Sequence, residues 1–167
     1  LFALKYHNTA FFLLDSDREI FFLFAQAAWL KTQMEKIKAD HRIVMLHHPL
    51  YSVRRENNNL IQRWMFNDII CDAKADLVLQ GHEHGYAHCT ADEEPLKGHD
   101  CTNPPLYVIS HCSPKEYHLH PTKRFYPVIQ GSRYYQIIDV DAKAVTYKAY
   151  DVANDALIDS VRITKPK

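Results

Sequence analysis

Glycine is scarce in this chain of 167 residues, at 4, and neither sign of charge is in surplus, because 20 Lys and Arg side chains meet 20 Asp and Glu. That balance leaves no general electrostatic attraction to nucleic acid or to an anionic membrane. The four cysteines, Cys71, Cys89, Cys101 and Cys112, include no Cys-x-x-Cys pair, which excludes a zinc-ribbon spacing. Long hydrophobic runs are lacking too. The Phe- and Leu-rich stretch from Leu1 to Leu30 is interrupted by Lys5, Asp15, Asp17, Arg18 and Glu19, short of the roughly 18 continuous apolar residues a spanning helix needs. No internal repeat, low-complexity tract or linker divides the chain.

What is present suits one domain with a real core: 47% hydrophobic and 24% charged residues, neither disordered nor fibrous in composition. Histidine is abundant, at 11, and concentrates at positions 47/48, 82/84/88 and 118/120, which raises the case for a metal. His47-His48-Pro49 follows the apolar run 42–46, and Gly81-His82-Glu83-His84-Gly85-Tyr86 follows the run 76–80. Both runs read as buried strands, so two strand ends deliver imidazoles to one edge of a sheet, where ligands gather in α/β folds. In His-x-His on extended backbone the two rings stand about 7 Å apart on one face. Imidazole suits zinc, iron, copper and nickel more than calcium or magnesium.

Taken in order, the chain predicts strands over 2–6 and 9–14 and an amphipathic helix over 25–39, with Trp29, Leu30, Met34 and Ile37 on its apolar stripe. After the first histidine strand, Asn58-Asn59 can start a second helix with Leu60, Ile61, Trp64, Met65 and Ile69 on its apolar face. Strand, helix, strand predicts parallel pairing of the two histidine strands, which makes residues 35 positions apart (82 minus 47) neighbours. Residues 91–105 read as a polar surface loop, followed by strands over 106–110, 134–140, 145–150 and 156–163.

These motifs carry a resemblance. His47-x-Pro49-x-Tyr51-Ser52 after a strand, then a helix, then Val78-x-Gln80-Gly81-His82-x-His84-x-Tyr86, is similar to the second half of the calcineurin-like metallophosphoesterases, and most of all to their purple-acid-phosphatase-like branch. Leu106 to Ser110 with Lys115-Glu116-Tyr117, and the stretch from Tyr134 to Lys165, resemble that branch as well. The resemblance implies an α/β fold, a four-layer αββα β-sandwich flanked by helices. Residues 1–167 would be a single partial domain, the C-terminal half of the catalytic domain. The family's other half carries Asp-x-His, Gly-Asp and Gly-Asn-His, and none of these occurs here. The expectation is therefore a chain that starts where the strand after Gly-Asn-His would start, without the N-terminal metal-binding half.

For the parent protein the resemblance implies metal-dependent hydrolysis of phosphate monoesters, acid-phosphatase-like, at a dinuclear centre of Fe, Zn or Mn. It assigns His47 and His82 to one metal and His84 to the other. In this chain alone zero or one metal is expected, and inactivity. The alternative is a non-catalytic scaffold or binding module with at most one structural metal. No residue is assigned a catalytic role; His48, at a position that varies in the family, would support the ligands or simply pack. Tyr51, Tyr86 and Arg54 are the candidate substrate contacts, through hydroxyls and a guanidinium that could grip phosphate. His118 and His120 could capture a stray metal, and Asp15 closes a strand that the resemblance places away from the ligand-bearing loops. Cys89 and Cys101 flank a loop that a disulfide could close in an exported or periplasmic parent, while Cys71 reads as a core residue. The expected partners are a phosphate ester, the absent half and further copies of the chain, which would associate through exposed sheet surface.

Overall fold

The computed structural model describes residues 1–54, 59–90, 101–120 and 123–165. Strands β1 (Phe2–Tyr6), β2 (Thr9–Leu13), β3 (His41–Met45), β4 (Leu77–Gln80), β5 (Tyr86–Thr90), β6 (Leu106–Ile109) and β7 (Val128–Ile129) form one mixed sheet in the order β1-β2-β3-β4-β6-β5-β7. A smaller antiparallel sheet holds β8 (Tyr134–Val140), β9 (Ala144–Asp151) and β10 (Leu157–Thr164) in the order β10-β9-β8. Helices α1 (Ile20–Lys36) and α2 (Leu60–Asp72) complete the set.

Period-two alternation in the central strands explains the layering. Ile43, Leu77, Leu106 and Val108 turn toward the small sheet and pack on Tyr134, Val145, Tyr147 and Ala149. Their neighbours Val44, Val78, Tyr107 and Ile109 turn the other way, into a cluster with Leu23, Leu30, Met34, Phe66 and Ile70 of the helices. Each such fully buried side chain is worth about 1.5–3 kcal/mol of transfer free energy. The result is an α/β sandwich, helices on sheet on sheet. The far face of the small sheet, where Ser160, Arg162 and Thr164 are exposed, carries no helix among the described residues.

Pairing places the chemistry. β2, β3, β4 and β6 run parallel, with Leu13 beside Met45, Met45 beside Leu79, and Leu79 beside Val108. All four carboxyl ends therefore reach the same edge of the sheet, as expected for β3 and β4.

Several boundaries differ from the sequence reading. α1 starts at Ile20, earlier than position 25, and buries Leu23, Gln26, Leu30 and Met34. Its extra turns are held by Gln26, whose amide accepts from Asp15 N at 2.9 Å and donates to Asp15 O at 2.7 Å. α2 follows Asn59 as predicted, but Asn59 donates its amide to Pro49 O at 2.8 Å instead of capping the helix. Leu60, Ile61 and Trp64 stay exposed, and the buried face is Met65, Phe66, Ile70 and Cys71. β5 was hidden because Tyr86, Ala87 and Cys89 bury both of its faces, erasing the polar alternation of an edge strand.

The cysteine pairing is corrected. Cys71 of α2 bonds to Cys101 just before β6, whereas Cys89 is buried and unbridged. A bridge closing 30 residues restrains the unfolded chain by roughly 3–4 kcal/mol in the loop-entropy account. The polar segment 91–100 lies outside the described residues.

Two polar clasps tie the sheets together. At one end His41 Nε2 meets Asp141 O at 3.0 Å while Asp76 accepts from Arg42 N at 2.7 Å. At the other, Asp159 of β10 accepts from Tyr86 Oη at 2.6 Å and lies 3.0 Å from His88 Nε2. Burial depresses the His88 pKa below its ordinary 6.5, and Asp159 only partly opposes this. The unfolded chain therefore takes up a proton before folded His88 does, so stability is full above the unfolded value and falls as pH drops through it. Urea unfolding from pH about 7 to about 5 should show the midpoint falling, and His88→Gln, which keeps an amide donor for Asp159, should flatten that slope. An unchanged slope would place the acid sensitivity at other histidines.

Candidate metal centre

Four segments meet at the carboxyl edge of the large sheet: 14–19 after β2, 46–54 after β3, 81–85 after β4 and 110–120 after β6. The first of these corrects an expectation. Asp15 does not stand apart from the ligand-bearing loops, because β2 is the parallel neighbour of β3 and Leu14 N bonds to Met45 O at 2.9 Å. The Asp15 carboxylate itself is held by Arg18 at 2.7 Å. The next residue, buried Ser16, reaches His48: its Oγ accepts from His48 N at 2.8 Å and lies 3.2 Å from His48 Nδ1.

His47, His48 and His82 come together, each offering a ring nitrogen within 4.8 Å of the others. Adjacent residues on a strand point to opposite faces, but β3 has ended at Met45, and the bend that follows brings both rings to one side, centroids 5.0 Å apart. His82 enters from the other loop with φ +66, a left-handed conformation that costs a non-glycine residue about 1 kcal/mol or more and that recurs at functional sites. Its Nδ1 lies 3.3 Å from His47 Nε2. Burial and then His47 depress the pKa of His48; burial and then His48 and His47 depress that of His82. Both rings are thus favoured as neutral imidazoles, the form that ligates metal.

His84 is held apart from this triad. Its Nδ1 is 2.7 Å from Lys115 O, and since a carbonyl only accepts, Nδ1 carries the hydrogen and Nε2 keeps the lone pair. The ring stacks on His111 at 5.2 Å and meets Tyr117 at a tilt, centroids 4.5 Å apart. Tyr117 also bears two cations, Arg54 at 4.1 Å and Lys115 at 4.7 Å. This rim is positively charged and lies beside His82, whose pKa Arg54 also helps to lower.

The candidate tyrosines are placed elsewhere. Tyr51 is 3% exposed and donates its hydroxyl to Asn67 Oδ1 at 3.0 Å, sharing that acceptor with Tyr107. Tyr86 is fully buried between the sheets, its hydroxyl on Asp159. Both hydroxyls are therefore committed to acceptors within the fold. Arg54 does lie at that edge, over Tyr117. His118 and His120 form their own pair, ring centroids 4.9 Å apart.

Sequence reasoning missed the residue that locks the two histidine loops together. Glu83 sits between His82 and His84, where an acid reads as solvated, yet it is fully buried. Its carboxylate accepts from Ser52 Oγ and, at 2.8 Å, from Val53 N, so the 81–85 turn is bolted to the loop after His47. Burial raises its pKa, against the opposing pull of those two donors. Gln80 adds a second bolt, accepting from Leu50 N at 2.8 Å. Gly85 allows the close approach: a Cβ there would run into Leu119 Cδ1 and lie 3.2 Å from Ile129 O. Gly81 has no such need, its nearest contact being His47 Nδ1 at 3.4 Å.

A single metal fits this donor set, three neutral imidazoles on two bolted loops. Among the described residues no carboxylate joins the cluster, so they offer no ligands for a dinuclear centre. No helix among the described residues is long and apolar enough to cross a membrane.

No family model matches the sequence, and no curated protein matches it. Solved structures do. A purple acid phosphatase from yellow lupin (Lupinus luteus) seeds superposes with a TM-score of 0.76 over 98% of this chain, at 14% identity. GAP50, described as the anchor in the inner membrane complex of Plasmodium, superposes with a TM-score of 0.72 over 95% of this chain, at 16% identity. The chain spans 32% of the lupin chain and 50% of the GAP50 chain. At these identities the likeness shows the fold alone: the chain is folded like the matching part of a purple acid phosphatase and of GAP50.

The Glu83 bolt generates a stability prediction. Glu83→Ala strands the Val53 N–H and opens a cavity, and should cost about 2–4 kcal/mol in chemical unfolding. Glu83→Gln keeps an acceptor for Val53 and should cost about 1 kcal/mol or less. Equal losses in the two variants would show that the charge matters and not the hydrogen bonds.

Proposed function

We propose that this chain, with its purple-acid-phosphatase-like fold, carries the His-x-Pro and Gly-His-x-His part of a metal-dependent phosphoesterase site and is inactive alone. The observation that supports this most is the meeting of His47 and His82 at 3.3 Å on loops held by Glu83, beside the cationic rim of Arg54 and Lys115. In the parent, two metal ions would polarise the phosphate and lower the pKa of a bound water. Here His47 and His82 would hold one of them, and His84, fixed by Lys115 O, would present Nε2 toward the second. Arg54 and Lys115 would orient the anionic ester from the Tyr117 side, Arg54 through its planar fork of donors. The bridging carboxylates must come from elsewhere, since the sequence has no Asp-x-His and no Gly-Asp. The Cys71–Cys101 bridge supports an exported or periplasmic parent, where such bonds persist.

A second reading has its own support. GAP50 is described as an anchor, and the lack of carboxylates at this chain's cluster suits a non-catalytic scaffold with at most one structural metal. Calorimetric titration of the zinc-loaded chain with orthophosphate separates the two. The phosphoesterase reading expects binding that weakens about tenfold or more in Arg54→Ala. It also expects no turnover of a chromogenic phosphate monoester above a His82→Ala control. Absence of phosphate binding would leave the scaffold reading.

We also propose that copies of the chain associate, though through a different surface from the bare sheet face anticipated. Phe21, Phe24, Leu60, Ile61 and Trp64 are exposed on the first turns of the two helices, with the Phe24 and Trp64 rings 6.2 Å apart. A contiguous aromatic patch of this kind marks an interaction surface. Sedimentation velocity should show mass rising with concentration in the unmodified chain, and a monomer in a Phe24→Glu/Trp64→Glu variant. A monomer at every concentration in the unmodified chain would exclude self-association.

A further inference from the structure

We propose that the metal site this chain forms by itself is a single tris-imidazole site of His47, His48 and His82, in which His48 takes a ligand's place and His84 takes none. The inference rests on the metal-site reading above and sharpens it. The pattern of motifs pointed to His47 and His82 on one metal and His84 on another; the geometry favours a different third ligand.

Three observations carry it. The first is spacing. Two nitrogens bound to one tetrahedral zinc at 2.0–2.1 Å stand roughly 3.3–3.4 Å apart. His82 Nδ1 and His47 Nε2 already stand 3.3 Å apart, with ring planes at 86°. The second is where His48 stands. Its ring centroid is 4.4 Å from that of His82 and 5.0 Å from that of His47, and its ligand nitrogen completes the group within 4.8 Å. Buried Ser16 engages Nδ1 at 3.2 Å and the backbone N–H at 2.8 Å. That is the support a ligating histidine receives on its non-ligating nitrogen, and it leaves Nε2 to the metal. The third is where His84 stands. Its Nδ1–H is committed to Lys115 O, its ring lies between His111 and Tyr117, and it is no member of the triad.

The chemistry of the set follows. Three uncharged imidazoles select zinc or another imidazole-preferring divalent ion over magnesium or calcium. They leave a fourth position open, and His47 is exposed to solvent while Arg54 lies on the same edge. An exchangeable anion or water is the ligand such a position takes.

The test uses the full metal-free chain titrated with Zn²⁺ against a chromophoric chelator, with Co²⁺ absorption reporting coordination geometry. One equivalent per chain is expected, with a tetrahedral Co²⁺ spectrum. His48→Gln, which retains an amide for Ser16, should weaken binding by about 100-fold or more, as should His82→Ala. Ser16→Ala should weaken it about tenfold, in the range for loss of a ligand's supporting hydrogen bond. His84→Ala should bind within about twofold of the unmodified chain. Thermal unfolding separates folding from ligation: without metal, His48→Gln should melt with the unmodified chain, and zinc should raise only the latter's midpoint. If His84→Ala loses the metal and His48→Gln keeps it, or if two equivalents bind, the tris-imidazole site is overturned while the metal-site reading stands. If no zinc binds, or zinc binding survives His47→Ala and His82→Ala, both are overturned.

Discussion

The parallel pairing of β2, β3 and β4 is the constraint on which the rest depends. Leu13, Met45 and Leu79 lie side by side, so the residues that follow them in each chain segment must emerge at one edge. Parallel strands cannot be joined by tight turns, and the connections here are α1 and α2, which cover the sheet face that the small sheet leaves bare. One arrangement thus delivers both the core and the histidine cluster. A slip of one residue in β3 would turn Val44 into the sandwich and Ile43 under the helices, and would carry His47 and His48 out of line with His82.

Convergence of backbones does not by itself hold three imidazoles in place, because loops beyond a sheet edge have several conformations available. The chain spends buried polar groups on that task. Glu83 and Gln80, both buried, tie the second histidine loop and strand end to the first histidine loop, and Ser16 ties that loop to the end of β2. Each of these groups is satisfied, which is the condition under which buried polarity rigidifies a site without leaving a donor unpaired. The left-handed backbone of His82 is tolerated in the same way, its neighbours on both sides being fixed by Gly81 N to His47 O at 3.0 Å and by the Glu83 carboxylate.

Legibility from sequence divides along the same line. His47 and His82 could be brought together on paper because strand, helix, strand has few geometries and both motifs close apolar runs. The sandwich core was legible for a similar reason, since alternating burial on β9 appears as alternating residue type in Val145, Tyr147 and Ala149. Contacts set by the third dimension left no such trace. Cys71 and Cys101 are separated by two strands and a loop, and nothing in their spacing favours that pair over Cys89 with Cys101. Glu83 and Ser16 carry no signal of their buried roles, because a buried hydrogen bond to a distant backbone has no sequence period. Tyr51 and Tyr86, placed beside motif residues, suggest substrate contact in sequence, and in the structure their rings join the two cores and their hydroxyls answer Asn67 and Asp159.

The proposed role of His48 sets proximity against motif position. The resemblance weights the first histidine of His47-His48-Pro49 and the two of Gly81-His82-Glu83-His84, because in a complete dinuclear site bridging carboxylates hold two metals side by side and the histidines divide between them. Among the described residues no carboxylate joins the cluster, so the proposed site rests on the imidazoles that already face one another. Those are the three whose rings touch, and the fourth has settled its hydrogen on a backbone carbonyl. In the proposed site His48, just before Pro49, supplies the third imidazole and Ser16 holds it in place.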